Sequence, residues 1–271
     1  MLPSPAEVAR TLVAGLLLAV AYVPGAAGPL HVRHATDAAG RVLLLARAGG
    51  RLSRALEAPE PTADTPVVVV VDDIPPVAGA PSYGRVWICG RARVLTGIAA
   101  RSAAVEFACV NPASDLLDVG RGFVLYRVEV SEVQLEREAR TVDVALAEYA
   151  AARPDPVHPR EWDLLLDLAD HHQHELCGFL RDQLARVGLT DAVLQEAPRV
   201  VRLDRYGLVV SAHPRNSLPR VLRLAFHHPV EDVNGFIALI RPVLAPCPHH
   251  RPSIVEPPTG GSPGGNRSPV T

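Results

Sequence analysis

The sequence contains no lysine, and all 27 of its basic side chains are arginines. Only a lysine amine forms a Schiff base with a carbonyl substrate or with pyridoxal phosphate, so enzymes of those classes are excluded. A Walker-type phosphate loop is excluded as well, because that motif needs its lysine. An anionic cofactor held here by side-chain charge must therefore be held by arginine, which binds phosphate and carboxylate through paired hydrogen bonds.

The sequence also has few cysteines and a small net charge. The 271 residues include four cysteines, none of them in a Cys-x-x-Cys pair, and this usage predicts a reduced, cytoplasmic protein. The net charge of -2 argues against a general nucleic-acid binder. Hydrophobic residues make up 48% and charged residues 21%, which is typical of a folded globular protein and excludes disorder of the whole chain.

An apolar stretch near the N-terminus, residues 12–23, has two interpretations. It could be the core of a signal peptide, with small residues at 26–28 as the cleavage region. Because Glu7 and two prolines precede it, we favour a helix over residues 6–14 followed by a buried strand over residues 16–23. The stretch is too short to span a bilayer, so no membrane association is predicted.

The first half of the chain predicts a small β-barrel. Five consecutive valines, Val67–Val71, indicate a strand buried on both faces, and residues 85–95 and 123–135 alternate between apolar and polar side chains. About six strands at this spacing, together with two or three helices, favour a barrel. The six segments with strand patterns are 16–23, 31–36, 41–46, 67–71, 85–95 and 123–135.

After a proline-containing linker, the spacing of apolar residues changes from a strand pattern to a helical pattern. Helical spacing from Trp162 to about residue 187 predicts one long amphipathic helix or two in series. Three strands and a helix over residues 230–244 complete a compact α+β unit. The predicted organisation is a barrel domain at 1–150, a linker at 151–159, a second domain at 160–247 and a disordered Pro- and Gly-rich tail at 248–271.

Two groups of side chains could carry chemistry. Arg47, Arg51, Ser53 and Arg54 lie between a strand and the start of a short predicted helix, which suggests an anion site, with a solvated helix turn as the alternative. Histidines His171, His172 and His174 cluster on a helix, but zinc takes ligands from more than one element, so a solvated face is the simpler interpretation. In the tail, His249 and His250 are candidate ligands for a haem iron.

Several stretches match a known pair of domains. Val42–Leu45 with Ser53–Leu56 and Pro59, and then Arg85–Ala92, resemble the strands and phosphate-binding turn of FMN-binding split barrels in the pyridoxamine-phosphate-oxidase-like superfamily. His172, Leu203–Leu208 and Arg223–Val230 resemble the domain of unknown function that follows such barrels in haem-utilisation proteins. The resemblance covers about residues 5–247.

The resemblance implies an α+β fold: a six-stranded split β-barrel with flanking helices, followed by a smaller α+β domain. It also implies a homodimer that binds a small-molecule cofactor at the subunit interface. Haem is the first candidate, with His249 or His250 on the iron and cleavage of haem as the associated oxidoreductase activity. FMN is the alternative, with its phosphate on Arg47, Arg51, Ser53 and Arg54, although the family's phosphate site also uses lysine. A non-catalytic dimeric interaction module is the third hypothesis.

Overall fold

The computed structural model describes residues 2–57 and 64–244. The predicted tail, with the candidate iron ligands His249 and His250, lies outside the described residues. The helices are α1 Pro5–Leu12, α2 Arg51–Leu56, α3 Gly97–Val110, α4 Leu146–Ala151, α5 Glu161–His171, α6 Gln173–Ala185 and α7 Val233–Leu244. The strands are β1 Ala19–Tyr22, β2 Leu30–Thr36, β3 Val42–Arg47, β4 Thr65–Asp72, β5 Arg85–Val94, β6 Phe123–Arg137, β7 Arg140–Val144, β8 Arg199–Asp204, β9 Gly207–Ala212 and β10 Arg220–Ala225.

Six antiparallel strands close into a barrel in the first half of the chain. The order is β3-β2-β1-β4-β5-β6, and β3 pairs back onto β6 to complete the ring. Strand β7 pairs only with β6 and extends the sheet beyond the barrel. The predicted α+β class, with a barrel followed by a smaller second unit, is therefore confirmed.

The valine run of β4 shows how the sequence specifies the barrel wall. Successive side chains of a strand point to opposite faces. Val67, Val69 and Val71 accordingly fill the barrel interior with at most 2% of their surface exposed. On the outer face Val70 is buried and Val68 is half-buried, so the predicted burial of both faces is confirmed for most of the run. Burying a valine or leucine side chain in this way contributes roughly 1.5–3 kcal/mol.

The N-terminal segment forms the predicted helix and strand with shorter bounds. Ser4 and Glu7 cap α1 reciprocally, each side chain accepting a hydrogen bond from the backbone of the other. The predicted strand start at residue 16 is wrong, because the chain first turns at Gly15, which has a φ of +124°. A Cβ at Gly15 would lie 2.7 Å from the carbonyl oxygen of His34, so the turn needs glycine.

The second unit packs α5, α6 and α7 against a three-stranded sheet of order β10-β9-β8. The helical region is two helices in series, interrupted at His172. Helix α7 begins three residues later than predicted, where the Asp232 carboxylate accepts a hydrogen bond of 2.6 Å from the backbone of Gly235. In the part of the chain that the structure describes, no helix is both long and apolar enough to cross a membrane.

A buried arginine joins the second unit to the barrel. Arg202 in β8 has no exposed surface, and its guanidinium donates paired hydrogen bonds to Asp73, which follows β4, and to Glu161, which opens α5. It also donates to the carbonyl oxygen of Pro81 at 2.9 Å and lies 3.8 Å from the ring centroid of Tyr83. Every guanidinium nitrogen therefore has an acceptor, as a buried charge requires.

A second charged group continues this junction. The hydroxyl of Tyr83 donates to Asp204 at 3.2 Å, and Arg223 pairs with the same carboxylate through two hydrogen bonds of 2.7 and 2.6 Å. From α1, Glu7 accepts a hydrogen bond of 2.5 Å from the hydroxyl of Tyr206. These contacts tie the 73–84 loop and α1 of the barrel to the strands of the second unit.

Candidate functional site

The predicted anion site forms a turn between β3 and α2. Arg47 ends the strand, Gly49 and Gly50 make the turn, and Arg51 opens the helix. Arg47, Arg51 and Arg54 are all exposed, so the structure brings three guanidinium groups to one surface turn. Among the described residues, the side chains of Arg47 and Arg51 have no hydrogen-bond or ion-pair partner.

Ser53 differs from these arginines. Its side chain is buried, and its hydroxyl donates to the carbonyl oxygen of Gly50 at 3.2 Å. Arg54 likewise donates from its Nε to the carbonyl oxygen of Gly49 at 2.7 Å. The turn therefore presents arginine charge to solvent, whereas its serine hydroxyl is used inside the fold.

A second candidate site, which the sequence does not reveal, is a cleft of about 600 Å³ on the outer wall of the barrel. It runs across β1, β4, β5 and β6 and has mostly apolar walls. The lining residues are Tyr22–Pro24, Pro66–Val68, Cys89–Arg91 and Ser131. This volume lies within the usual range for small-molecule sites.

The strand register explains why these residues meet. Tyr22, Val68 and Cys89 occupy one row across β1, β4 and β5, and Val20, Val70 and Trp87 occupy the next row on the same face. The Tyr22 and Trp87 rings stack at a centroid distance of 6.4 Å and an interplanar angle of 23°. Because the residues of each row are far apart in sequence, the wall becomes visible only when the strand pairing is known.

Gly90 shapes the floor of the cleft. The pairing of β5 with β6 shifts register between Cys89 and Gly90, which marks a β-bulge. A Cβ on Gly90 would overlap the carbonyl oxygen of Glu129 and would lie 2.7 Å from the Cγ1 atom of Val128. The close approach of β6 therefore depends on the missing side chain.

The rim of the cleft carries positive charge. Arg91 donates to the backbone carbonyl oxygen of Asp64, and Arg93 forms two hydrogen bonds of 2.8 Å with the Asp64 carboxylate. The hydrogen bonds from Arg93 lower the pKa of Asp64, so this carboxylate stays ionised. Arg91 keeps further guanidinium N–H groups beside the cleft, and these can bind an anionic group.

Within the cleft, Tyr22 and Cys89 carry the atoms that iron accepts as ligands. Burial, together with the charge of Glu132, raises the pKa of the Cys89 thiol, which keeps it neutral and disfavours a thiolate ligand. His31 lies on the same outer face, paired with Val20 across β1 and β2. The described residues thus offer a phenol and an imidazole on this wall, whereas His249 and His250 remain predictions.

The histidine cluster of the second unit lies at the surface of α5 and α6. His171 and His174 are exposed, and His171 pairs with Asp167 at 3.2 Å on the surface of α5. No group of three or more potential metal ligands occurs within residues 2–57 and 64–244. The side chains of His171 and His174 therefore face solvent.

Comparison with known proteins identifies the fold. No family model and no curated protein matches the chain. Among solved structures, a haem-binding protein from Mycobacterium smegmatis superposes with a TM-score of 0.63 at 20% identity, over 90% of this chain and 97% of that one. A protein of unknown function from Agrobacterium tumefaciens covers the same shares at 15% identity and a TM-score of 0.41. An FAD-binding protein from Mycobacterium smegmatis covers 48% of this chain and 93% of its own at 16% identity and a TM-score of 0.34.

At these identities the similarity establishes fold, and the fold argument rests on the superposition with a TM-score of 0.63. The class defined by this architecture is a closed six-stranded antiparallel β-barrel followed by a smaller α+β unit. The fold that the sequence resemblance implies is confirmed at this level.

Proposed function

We propose that this protein binds a haem-type tetrapyrrole in the cleft on the barrel wall. The observation that carries the proposal is that the fold shared with the haem-binding protein of Mycobacterium smegmatis runs through both units, over 90% of this chain. The cleft supports it, because a flat apolar macrocycle with two carboxylates needs an apolar wall and a cation at its rim. Tyr22, Val68 and Trp87 supply the wall, and Arg91 supplies the cation.

A second copy of the chain would complete the site. The outer face of β1, β4 and β5 carries apolar side chains that solvent reaches, including Tyr22, which is 45% exposed. A partner barrel laid on this face would cover those side chains and enclose a ligand between the subunits. The homodimer implied by the sequence resemblance is therefore part of the proposal.

The iron ligand has three candidate sources. Tyr22 lines the cleft, His31 lies on the same face, and the tail supplies His249 and His250. When bound, haem supplies an iron centre that exchanges electrons and accepts small ligands. The chain's own contribution is to hold the macrocycle against β4 and β5 and to keep the Cys89 thiol neutral. Cleavage of haem is a further hypothesis, because it needs an electron donor as well.

Titration with haemin tests the proposal. The expected result is a sharpened, shifted Soret band that saturates at a fixed ratio of haem to chain. Val68→Glu should abolish this band because it places a charge in the cleft, and Val142→Glu on β7 is the matched control because Val142 lies outside the cleft. Comparing Tyr22→Phe with a His249→Ala/His250→Ala double variant identifies the iron ligand. A wild-type protein that leaves the haemin spectrum unchanged rejects the proposal.

FMN binding is the second candidate, favoured by the exposed arginines of the Gly49–Gly50 turn. Arg47 and Arg51 have no side-chain partner in the described part of the chain and can bind a phosphate there, although Ser53 is turned inward and the sequence has no lysine. Saturable quenching of FMN fluorescence, lost in Arg47→Gln/Arg51→Gln and retained in Arg220→Gln, would support it. Failure of both haemin and FMN to bind would favour the non-catalytic interaction module.

A further inference from the structure

The second unit contains its own cleft, separate from the barrel wall. It has a volume of about 310 Å³ and lies between α5, α6 and the start of β8. Its fourth side is the barrel loop that carries Val77 and Ala78. Buried leucines form the floor: Leu165, Leu168, Leu176 and Leu180.

Small side chains leave this floor open. Ala78, Ala169 and Ala197 stand at the rim and are exposed, and their small side chains leave space above the leucines. The break between α5 and α6 at His172 also shapes the cleft. A single continuous helix could not place the residues of both segments around the same leucine floor. The opening is therefore built by the choice of side chains and by the helix break.

Two polar side chains can donate hydrogen bonds to a ligand in the cleft. Arg199 and Gln173 line it, and neither side chain has a hydrogen-bond or ion-pair partner among the described residues. None of the described lining residues is acidic. The cleft therefore combines an apolar floor with an uncompensated cation and an amide donor, which is the complement of an alkyl chain that ends in a carboxylate.

We propose that this cleft binds a medium-chain carboxylic acid of the fatty-acid type. The alkyl chain lies on the leucine floor, and the carboxylate pairs with the guanidinium of Arg199, with the Gln173 amide as a second donor. Transfer of each buried methylene from water favours binding by the hydrophobic effect, and the cleft volume of about 310 Å³ favours a medium-length chain over a long one. The site is independent of the haem proposal, because it shares no lining residue with the barrel cleft.

The first test measures calorimetric binding of decanoate to the full-length protein. Wild type should bind one decanoate per chain, and Ala169→Phe, which fills the rim, should weaken binding by about tenfold or more. Ala185→Phe, at an exposed position of α6 outside the cleft, should bind as wild type does. Absence of saturable binding, or equal binding by Ala169→Phe, would overturn the proposal.

The carboxylate is tested separately. Arg199→Gln should weaken decanoate binding by about tenfold, whereas Arg220→Gln, at the exposed start of β10, should leave it unchanged. The neutral analogue 1-decanol should bind more weakly than decanoate to wild type. If 1-decanol binds as well as decanoate and Arg199→Gln has no effect, the carboxylate does not contribute to binding, and a carboxylic acid is rejected as the ligand class.

A labelling experiment on the wild-type protein tests the same proposal without depending on whether a variant folds. Cys177 lines the cleft and is half-buried, while Cys109 is exposed on α3. Decanoate should slow alkylation of Cys177 by iodoacetamide about threefold or more, as resolved peptide by peptide, and should leave Cys109 unaffected. Equal rates at Cys177 with and without decanoate would contradict occupancy of the cleft. Haemin binding should not change in Ala169→Phe, which keeps the two proposals distinguishable.

Discussion

Single residues decide how the two units are held together. Arg202 is fully buried and is the shared partner of Asp73 and Glu161, which lie in different units. Burial lowers the pKa of such a group, but here the hydrogen bonds that Arg202 donates to Asp73 and Glu161 outweigh burial and raise the pKa of Arg202, so its charge is fixed. Removing it leaves two carboxylates in a buried site.

We therefore predict that Arg202→Met lowers the free energy of unfolding by about 3–5 kcal/mol, because the uncompensated carboxylates remain buried. Arg160→Met is the control, since Arg160 pairs with Asp163 on the surface and should change stability by less than about 1 kcal/mol. Urea denaturation of both variants provides the comparison. Similar small losses in the two variants would show that the buried cluster does not join the units.

His34 gives a prediction about pH. Its imidazole is buried in the barrel, its Nε2 has no hydrogen-bond partner within residues 2–57 and 64–244, and burial lowers its pKa from 6.5 to about 4. Between these two pKa values the unfolded chain binds the proton and the folded chain does not, so stability is present above pH 6.5 and is lost as pH falls toward 4.

For this one group the loss between about pH 7.5 and about pH 5 amounts to about 2 kcal/mol. His34→Leu should lose that much less stability over the interval than wild type, as measured by urea denaturation at both pH values. His171→Ala, on the solvated face of α5, should follow wild type. A His34→Leu protein with an unchanged pH dependence would show that His34 is not the titrating group.

Among the elements, β5 and α6 use glycine for opposite reasons. A Cβ on Gly90 would overlap the carbonyl oxygen of Glu129 in β6, whereas a Cβ at Gly178 in α6 would meet no atom within 4 Å. We predict that Gly90→Ala destabilises the protein by about 1–3 kcal/mol through overlap with β6. Gly178→Ala should stabilise it by about 0.5–1 kcal/mol, because alanine is the better helix former. Thermal unfolding of the two variants tests both predictions. Equal changes in melting temperature would contradict the role given to Gly90 at the bulge.

The elements also show what a sequence reveals and what it hides. Alternation of apolar and polar side chains over residues 85–95 and 123–135 predicted two barrel strands, and the structure forms them as β5 and β6. Strand β7 was not predicted because four of its five side chains are exposed and no apolar alternation marks it.

The two candidate sites also differ in how far the sequence alone reveals them. The arginines around Gly49 are neighbours in sequence and could be found by inspection, whereas Tyr22, Val68 and Cys89 meet only through strand pairing. The partners of Arg202 lie 129 and 41 positions away, so no local pattern points to them.

At the scale of the whole molecule, the outer barrel wall is an apolar surface that a second copy would cover. We predict that Val68→Glu prevents formation of the proposed dimer, because it places a charge in the centre of that face. Sedimentation velocity of wild type, Val68→Glu and the Val142→Glu control measures the change. A wild type that sediments as a monomer at every concentration would contradict the dimer and leave the cleft open on one side.

The most direct measurement is the absorption spectrum of the purified protein titrated with haemin. The account predicts a Soret band that saturates with wild type and with Val142→Glu and is absent with Val68→Glu, because the cleft on the barrel wall holds the ligand. A wild-type spectrum identical to that of free haemin, or a band that Val68→Glu leaves intact, would contradict the assignment of haem to this cleft.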